Sequence, residues 1–115
     1  MDVLITGKGV EIDSALKAYI RRRIDFALSR FSTRVGHIRM VITNKSGPFG
    51  GIDKLCRICI QLLGDKTVAV SSSDEDLHVA IAHAADQIHS MVARRIEMGR
   101  TLAVTKRIDW DRMEK

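Results

Sequence analysis

Apolar side chains recur in this sequence with two different spacings, and the order of those spacings limits the folds that the chain can adopt. Residues 14–31 and about 77–98 have them at intervals of three and four, which predicts two helices, each apolar on one side. Gly99 is the predicted end of the second helix. The apolar positions of the first helix are Leu16, Ile20, Ile24, Ala27 and Phe31. Those of the second are Leu77, Ile81, Ala84, Ala85, Ile88, Met91 and Val92.

Alternation of apolar and polar residues predicts four strands, at about residues 3–6, 37–45, 54–63 and 67–71. The segment SGPFGG between the second and third strands is too rich in glycine to extend either of them, so it predicts a loop. Asp13 is predicted to cap the first helix, and Ser73 with Asp76 predicts a capping box before the second. The order is therefore strand, helix, three strands, helix.

Two one-sided helices and a sheet with one polar face predict a two-layer α+β sandwich. Both helices lie on the same face of a four-stranded sheet, and the strand–helix–strand start requires a right-handed crossover, which makes the sheet mixed. We expect one domain over residues 1–99. Residues 100–115 form a mixed-charge C-terminal tail that contains the only tryptophan, Trp110.

Positive charge is concentrated in the first half of the chain. The whole chain has a formal net charge of +5, and residues 1–60 hold eleven Lys and Arg against five Asp and Glu. Clustered basic residues favour a polyanionic partner. The sequence has no apolar run of membrane-spanning length, its N-terminus does not resemble a secretory signal, and it has two cysteines. We therefore expect a cytoplasmic protein.

The segment YIRRRIDFALSRF, residues 19–31, places aromatic and arginine side chains alternately along one flank of the first helix. Spacings of four, three and four connect Tyr19, Arg23, Phe26 and Arg30, which we call the aromatic–arginine ridge. Arginine forks bind phosphates and rings stack on bases, so the ridge is a candidate RNA-binding surface. The alternative is a solvated helix edge whose arginine stems shield the core.

Candidate catalytic and metal sites are weak. Cys56 and Cys59 form a C-x-x-C, but residues three apart in a strand point to opposite faces, and no further cysteine is present to complete a zinc site. His78, His83 and His89 are spaced by five and six, so no two of them are neighbours one turn apart on the helix. We expect no enzymatic activity, no cofactor and no metal.

Two segments carry a resemblance to a known family. DVLITGKGVEIDSAL, residues 2–16, and SSDEDLHVAI, residues 72–81, resemble the bacterial ribosome hibernation-promoting factors, also called protein Y or ribosome-associated translation inhibitor. The resemblance implies a β-α-β-β-β-α fold similar to double-stranded RNA-binding domains. It also implies binding to the small ribosomal subunit at the decoding region and inhibition of translation during stress or stationary phase. Long-form members add a C-terminal dimerisation domain, and because 115 residues leave no room for one, we expect the short form.

The resemblance also implies site residues, because family members place basic side chains of both helices against ribosomal RNA. Arg23 and Phe26 stand where family members have lysine, and Arg94 and Arg95 match basic positions, whereas Gln87 and Ser90 depart from them. The 46–51 loop departs from the family as well. The expected RNA-binding residues are Tyr19, Arg22, Arg23, Phe26, Arg30, Arg94 and Arg95.

The expected partners are the small ribosomal subunit and its ribosomal RNA, and a small hibernation partner factor is a further candidate. We expect neither a membrane nor a small-molecule substrate. Two alternatives stay open: a general double-stranded RNA-binding protein, and a small thiol-redox protein that uses Cys56 and Cys59.

Overall fold

A computed structural model describes residues 2–46, 51–64 and 66–113, and from residue 98 onward it describes the backbone alone. The predicted order of elements is confirmed. A single turn of 3₁₀ helix, Ser29–Phe31, follows the first α-helix. The elements are β1 (Asp2–Lys8), α1 (Ser14–Leu28), β2 (Val35–Ser46), β3 (Ile52–Leu62), β4 (Lys66–Asp74) and α2 (Leu77–Met113).

The four strands form one mixed sheet in the order β1-β2-β3-β4. β1 pairs with β2 in parallel, from Asp2 opposite His37 to Lys8 opposite Thr43, while the other two pairs are antiparallel. α1 connects the two parallel strands, as the sequence predicts. The α+β class and the mixed sheet are therefore confirmed.

The core lies between the sheet and the helices and is almost wholly aliphatic. The inward side chains of β2 and β3 are buried there against the apolar sides of α1 and α2. No polar or charged residue is buried among the residues whose side chains are described. The largest fully buried side chains of the core are those of Ile20, Ile24, Leu28, Ile38, Met40, Ile42, Ile58, Ile60, Ile81, Ile88, Val68 and Val92.

α1 and α2 lie side by side and run in the same direction. The ring of Tyr19 contacts that of His78 near the start of both helices, with 4.6 Å between their centroids. Near the end of α1, His89 Nδ1 lies 2.6 Å from the carbonyl oxygen of Ala27, to which it donates a hydrogen bond. His78 and His89 therefore help to join the two helices.

Of the two helix caps predicted from sequence, one is confirmed and the other is wrong. Asp13 caps α1, because its Oδ1 accepts a hydrogen bond from the Leu16 amide at 2.8 Å. The predicted capping box of Ser73 and Asp76 is wrong, because Ser73 lies in β4, where it pairs with Leu55. Asp76 caps α2 alone: its Oδ1 accepts from the His78 amide at 2.9 Å.

The predicted end of the second helix is also wrong, since the backbone of α2 continues through Gly99 to Met113. A glycine inside a helix costs only about 1 kcal/mol relative to alanine, which is too little to end a helix flanked by good helix formers. Most of the predicted tail is therefore helical, and residues 114 and 115 lie outside the described part. The division into residues 1–99 and 100–115 stays a prediction.

The turn between β1 and α1 depends on two glycines. Gly9 has φ +73, a conformation that L side chains rarely adopt. Gly7 lies at the end of β1, where a Cβ atom would meet the carbonyl oxygen of Val10 and would lie 2.7 Å from Ile12 Cγ1. The chain after β1 can fold back this closely only over a residue without a side chain.

Candidate nucleic-acid interface

The aromatic–arginine ridge divides into two halves, and the first half faces α2. The Tyr19 hydroxyl donates a hydrogen bond to the carbonyl oxygen of His78 at 3.3 Å. Arg23 Nη2 lies 3.7 Å from Asp86 Oδ1, and the Arg23 side chain is 33% exposed. Tyr19 and Arg23 therefore help to pack α1 against α2, and the charge of Arg23 is partly neutralised.

The second half of the ridge faces solvent. The Phe26 side chain is 84% exposed, more than any other large hydrophobic residue in the part with described side chains. Arg30 is exposed, with its guanidinium carbon 5.1 Å from the centroid of the Phe31 ring. Arg22, four residues before Phe26, is exposed too. Four-residue spacing thus places one exposed ring between two exposed guanidinium groups.

Arg34 is a further exposed arginine beyond the end of α1 that helical spacing does not predict. It lies in the turn after the 3₁₀ helix, where its amide donates to the Phe31 carbonyl oxygen at 2.8 Å and its carbonyl accepts from the Leu63 amide at 2.9 Å. These bonds hold its backbone, while its side chain is exposed. Four residues separate Arg34 from Arg30, but Arg34 lies in a turn after residue 31, where the predicted helix ends. We call Arg22, Phe26, Arg30 and Arg34 together the α1 basic surface.

The two arginines predicted on α2 lie apart from the α1 basic surface. Arg94 is exposed and Arg95 is half-buried. Because His89 faces α1, a helical turn of about 100° per residue directs both arginines to other sides of α2, each more than about 100° away from α1. The seven predicted residues therefore do not form one continuous surface.

Electrostatics favour an anion at the α1 basic surface. Among the described residues, the one arginine that lies within ion-pair distance of a carboxylate is Arg23. Arg22, Arg30 and Arg34 thus have full positive charges that face solvent. Guanidinium groups bind phosphate oxygens in pairs, and an exposed ring can stack on an unpaired base. A folded RNA exposes both phosphates and unpaired bases, so the chemistry of the α1 basic surface is complementary to such a partner.

The two cysteines do not form a redox pair. Cys56 is fully buried on the helix side of β3, while Cys59 is half-buried on the opposite side, and both are free. Burial raises the pKa of the Cys56 thiol from 9.0 to about 12, so it stays protonated at neutral pH. A protonated thiol is a poor nucleophile. The geometry argues against the thiol-redox alternative.

We expect one fast-reacting thiol in the folded protein, because only Cys59 reaches solvent. Titration of the full chain at pH 8 with a chromogenic aromatic disulfide should quickly release one equivalent of the coloured thiolate per protein molecule. Cys59→Ala should abolish the fast phase, and denaturant should reveal the second thiol. Two fast thiols in the native protein would contradict the burial of Cys56.

Neither a metal site nor a membrane helix is found in the described residues. No group of three or more His, Cys, Asp and Glu side chains in that part of the chain could hold a metal ion. No helix there is both long and apolar enough to cross a membrane.

Comparison with known proteins identifies a matching family and solved structures of similar fold. A model of the family described as Sigma 54 modulation protein / S30EA ribosomal protein matches residues 3–98. No curated protein matches the sequence significantly. The fold is similar to that of a ribosomal subunit interface protein from Coxiella burnetii, with a TM-score of 0.71 and 15% identity over 84% of this chain and 99% of that chain. It is also similar to the Thermus thermophilus Protein Y N-terminal domain, with a TM-score of 0.67 and 22% identity over 82% and 98%.

Proposed function

Because the chain belongs to the family described as Sigma 54 modulation protein / S30EA ribosomal protein, we propose that it binds the small ribosomal subunit at the decoding region and inhibits translation. The match confirms the resemblance carried by residues 2–16 and 72–81. The family consists of ribosome-associated proteins rather than enzymes. Inhibition would serve to silence ribosomes during stress or stationary phase.

One observation carries the proposal: Phe26 stands 84% exposed between the exposed arginines Arg22 and Arg30. Leaving a phenylalanine in water costs free energy that burial against a partner would recover. Ribosomal RNA offers phosphates for the arginines and unpaired bases for the ring. The α1 basic surface therefore fits a folded RNA better than a regular duplex, whose bases are stacked inside.

The mechanism is occlusion by a rigid domain. Messenger and transfer RNA bind in the decoding region, so a protein held there by RNA contacts excludes both. No bond is made or broken, and the protein needs only affinity and volume. Arg94 and Arg95, on other sides of α2, would contact a different RNA segment from the α1 basic surface.

Cosedimentation with purified ribosomal subunits tests this function. The full chain should comigrate with small subunits rather than large subunits, should keep doing so with excess duplex RNA present, and should reduce translation in a purified system. Complete displacement by duplex RNA would favour the general double-stranded RNA-binding alternative. Failure to comigrate with either subunit would contradict the proposal outright.

Affinity should depend steeply on salt, because the proposed contacts are between arginines and phosphates. With about five phosphates neutralised, doubling the monovalent salt concentration should weaken small-subunit binding by roughly ten- to twentyfold. The dissociation constant, measured over a series of salt concentrations, gives the slope directly. A flat response would show that charge does not drive the binding.

A further inference from the structure

The side of the sheet that faces away from the core carries two arginines among aliphatic and small side chains. Residues in register across the strands form rows on this side. We call two neighbouring rows the outer sheet face. The first row is Leu4, Arg39, Cys59 and Ala69, and the second is Thr6, Val41, Arg57 and Ser71.

The centre of the outer sheet face is positively charged. Arg39 and Arg57 are both exposed and are diagonal neighbours on adjacent strands, with Cα atoms about 7–8 Å apart. Neither lies within ion-pair distance of a carboxylate of the described residues. Asp2 stands at the corner of the sheet, where its carboxylate lies 3.5 Å from His37 Nδ1. Two carboxylates of a partner could therefore bind here without displacing an existing pair.

Apolar surface surrounds these arginines. The Leu4 side chain is 59% exposed beside Arg39, and Val41 and Cys59 are only half-buried. A concavity of about 670 Å³ opens at the same end of the sheet, lined by Leu4, Arg39 and Cys59 among others. Its size falls within the range of ligand-binding clefts and would admit an aliphatic side chain.

The composition of the face indicates the class of partner. None of its eight residues is aromatic, so it offers no platform for a base, unlike the α1 basic surface. Arginine is instead enriched at protein–protein interfaces, whose buried centres are apolar. We propose that the outer sheet face binds a short, extended protein segment that directs two carboxylates and flanking aliphatic side chains, from every second residue, toward the sheet.

The size of the face supports a short segment over a second copy of this chain. Four strands at about 4.8 Å spacing and two rows of side chains give roughly a few hundred Å² for the outer sheet face, whereas a stable globular interface needs about 800 Å² from each partner. A symmetric dimer would also bring Arg39 and Arg57 close to the same residues of the other copy. That like-charge contact would be unfavourable.

The two surfaces lie on opposite sides of the domain, so the proposed segment could bind while α1 contacts RNA. This inference does not depend on the proposed ribosomal function. It predicts that changes on the outer sheet face alter peptide binding and leave small-subunit binding unchanged.

Fluorescence anisotropy of the full chain with the labelled peptide Leu-Ser-Glu-Ser-Glu-Ser-Leu-Ser, which places leucine and glutamate on one side when extended, tests the proposal. Saturable binding is expected, and Arg39→Glu with Arg57→Glu should weaken it by about tenfold or more. Lys17→Glu with Arg21→Glu, an equal change of charge on exposed positions of α1, should leave it unchanged. Peptides with glutamine for glutamate, or serine for leucine, should each bind more weakly.

Three results would overturn the proposal. The first is that no peptide binds at millimolar concentration, and the second is that the Lys17→Glu, Arg21→Glu control weakens peptide binding as much as the Arg39→Glu, Arg57→Glu variant does. The third is that the protein forms a concentration-dependent dimer that the Arg39→Glu, Arg57→Glu variant abolishes. Loss of single-stranded RNA binding in the sheet variant, with peptide binding intact, would identify an RNA surface instead. If circular dichroism shows that the Arg39→Glu, Arg57→Glu variant is unfolded, peptide binding is measured with Arg39→Gln and Arg57→Gln instead.

Discussion

Replacing Arg22 and Arg30 by glutamate is expected to lower the affinity for the small ribosomal subunit by roughly a hundredfold or more, because each change removes a charge-assisted phosphate contact and adds repulsion. Both side chains are exposed, and glutamate is a good helix former, so the fold should be kept. The dissociation constant for purified small subunits at moderate salt measures the effect, and circular dichroism verifies the fold.

The control is Lys17→Glu with Arg21→Glu, which changes the net charge equally on the opposite flank of α1. If the α1 basic surface contacts the RNA, the control should keep most of its affinity. Equal loss in both variants would mean that overall charge, rather than this surface, sets the affinity. Arg23 is unsuitable for such a test, because a glutamate there would face Asp86 and disturb the packing of α1 on α2.

A methyl group at Gly7 should destabilise the protein by about 1–3 kcal/mol, the usual cost of adding volume to a packed site. The atom it would meet is a backbone oxygen, that of Val10, which cannot turn aside as a side chain can. The whole connection from β1 to α1 must shift to admit it. Urea denaturation of Gly7→Ala, monitored by circular dichroism, should show an earlier midpoint with the slope unchanged.

Gly51→Ala is the matched control, since a Cβ atom there would have no neighbour within 4 Å among the described residues. Its midpoint should stay close to that of the unaltered protein. Equal midpoints for Gly7→Ala and Gly51→Ala would mean that the turn after β1 is looser than the structure has it.

The periodicity of the sequence was sufficient to predict the two layers of this fold, because each strand buries one set of alternate residues. Ile38, Met40 and Ile42 point to the helices in β2, just as their spacing predicts. The errors arose at ends of elements, where local signals compete with pairing. Ser73 has the chemistry of a cap, yet its pairing with Leu55 keeps it in β4, and Gly99 does not stop α2.

The candidate site was harder to predict because a helical pattern identifies a flank without showing what covers it. Tyr19, Arg23, Phe26 and Arg30 share one flank of α1, but α2 covers the first two and leaves the others exposed. The covering residues come from a segment that is distant in sequence, so no local pattern could indicate the contact. Arg34 lies in a turn that Leu63 holds by a backbone hydrogen bond, so helical spacing could not place it.

The parallel pairing of β1 with β2 has a consequence for the order of folding. β1 precedes the other described strands in the chain, yet among them it pairs with β2 alone. The α1 segment must therefore be spanned before Asp2 can reach His37. β2, β3 and β4 follow one another as antiparallel neighbours and close shorter loops, which form faster. Pulse-labelling hydrogen exchange during refolding should therefore find the amides of β3 protected before those of β1, and the reverse order would contradict this pathway.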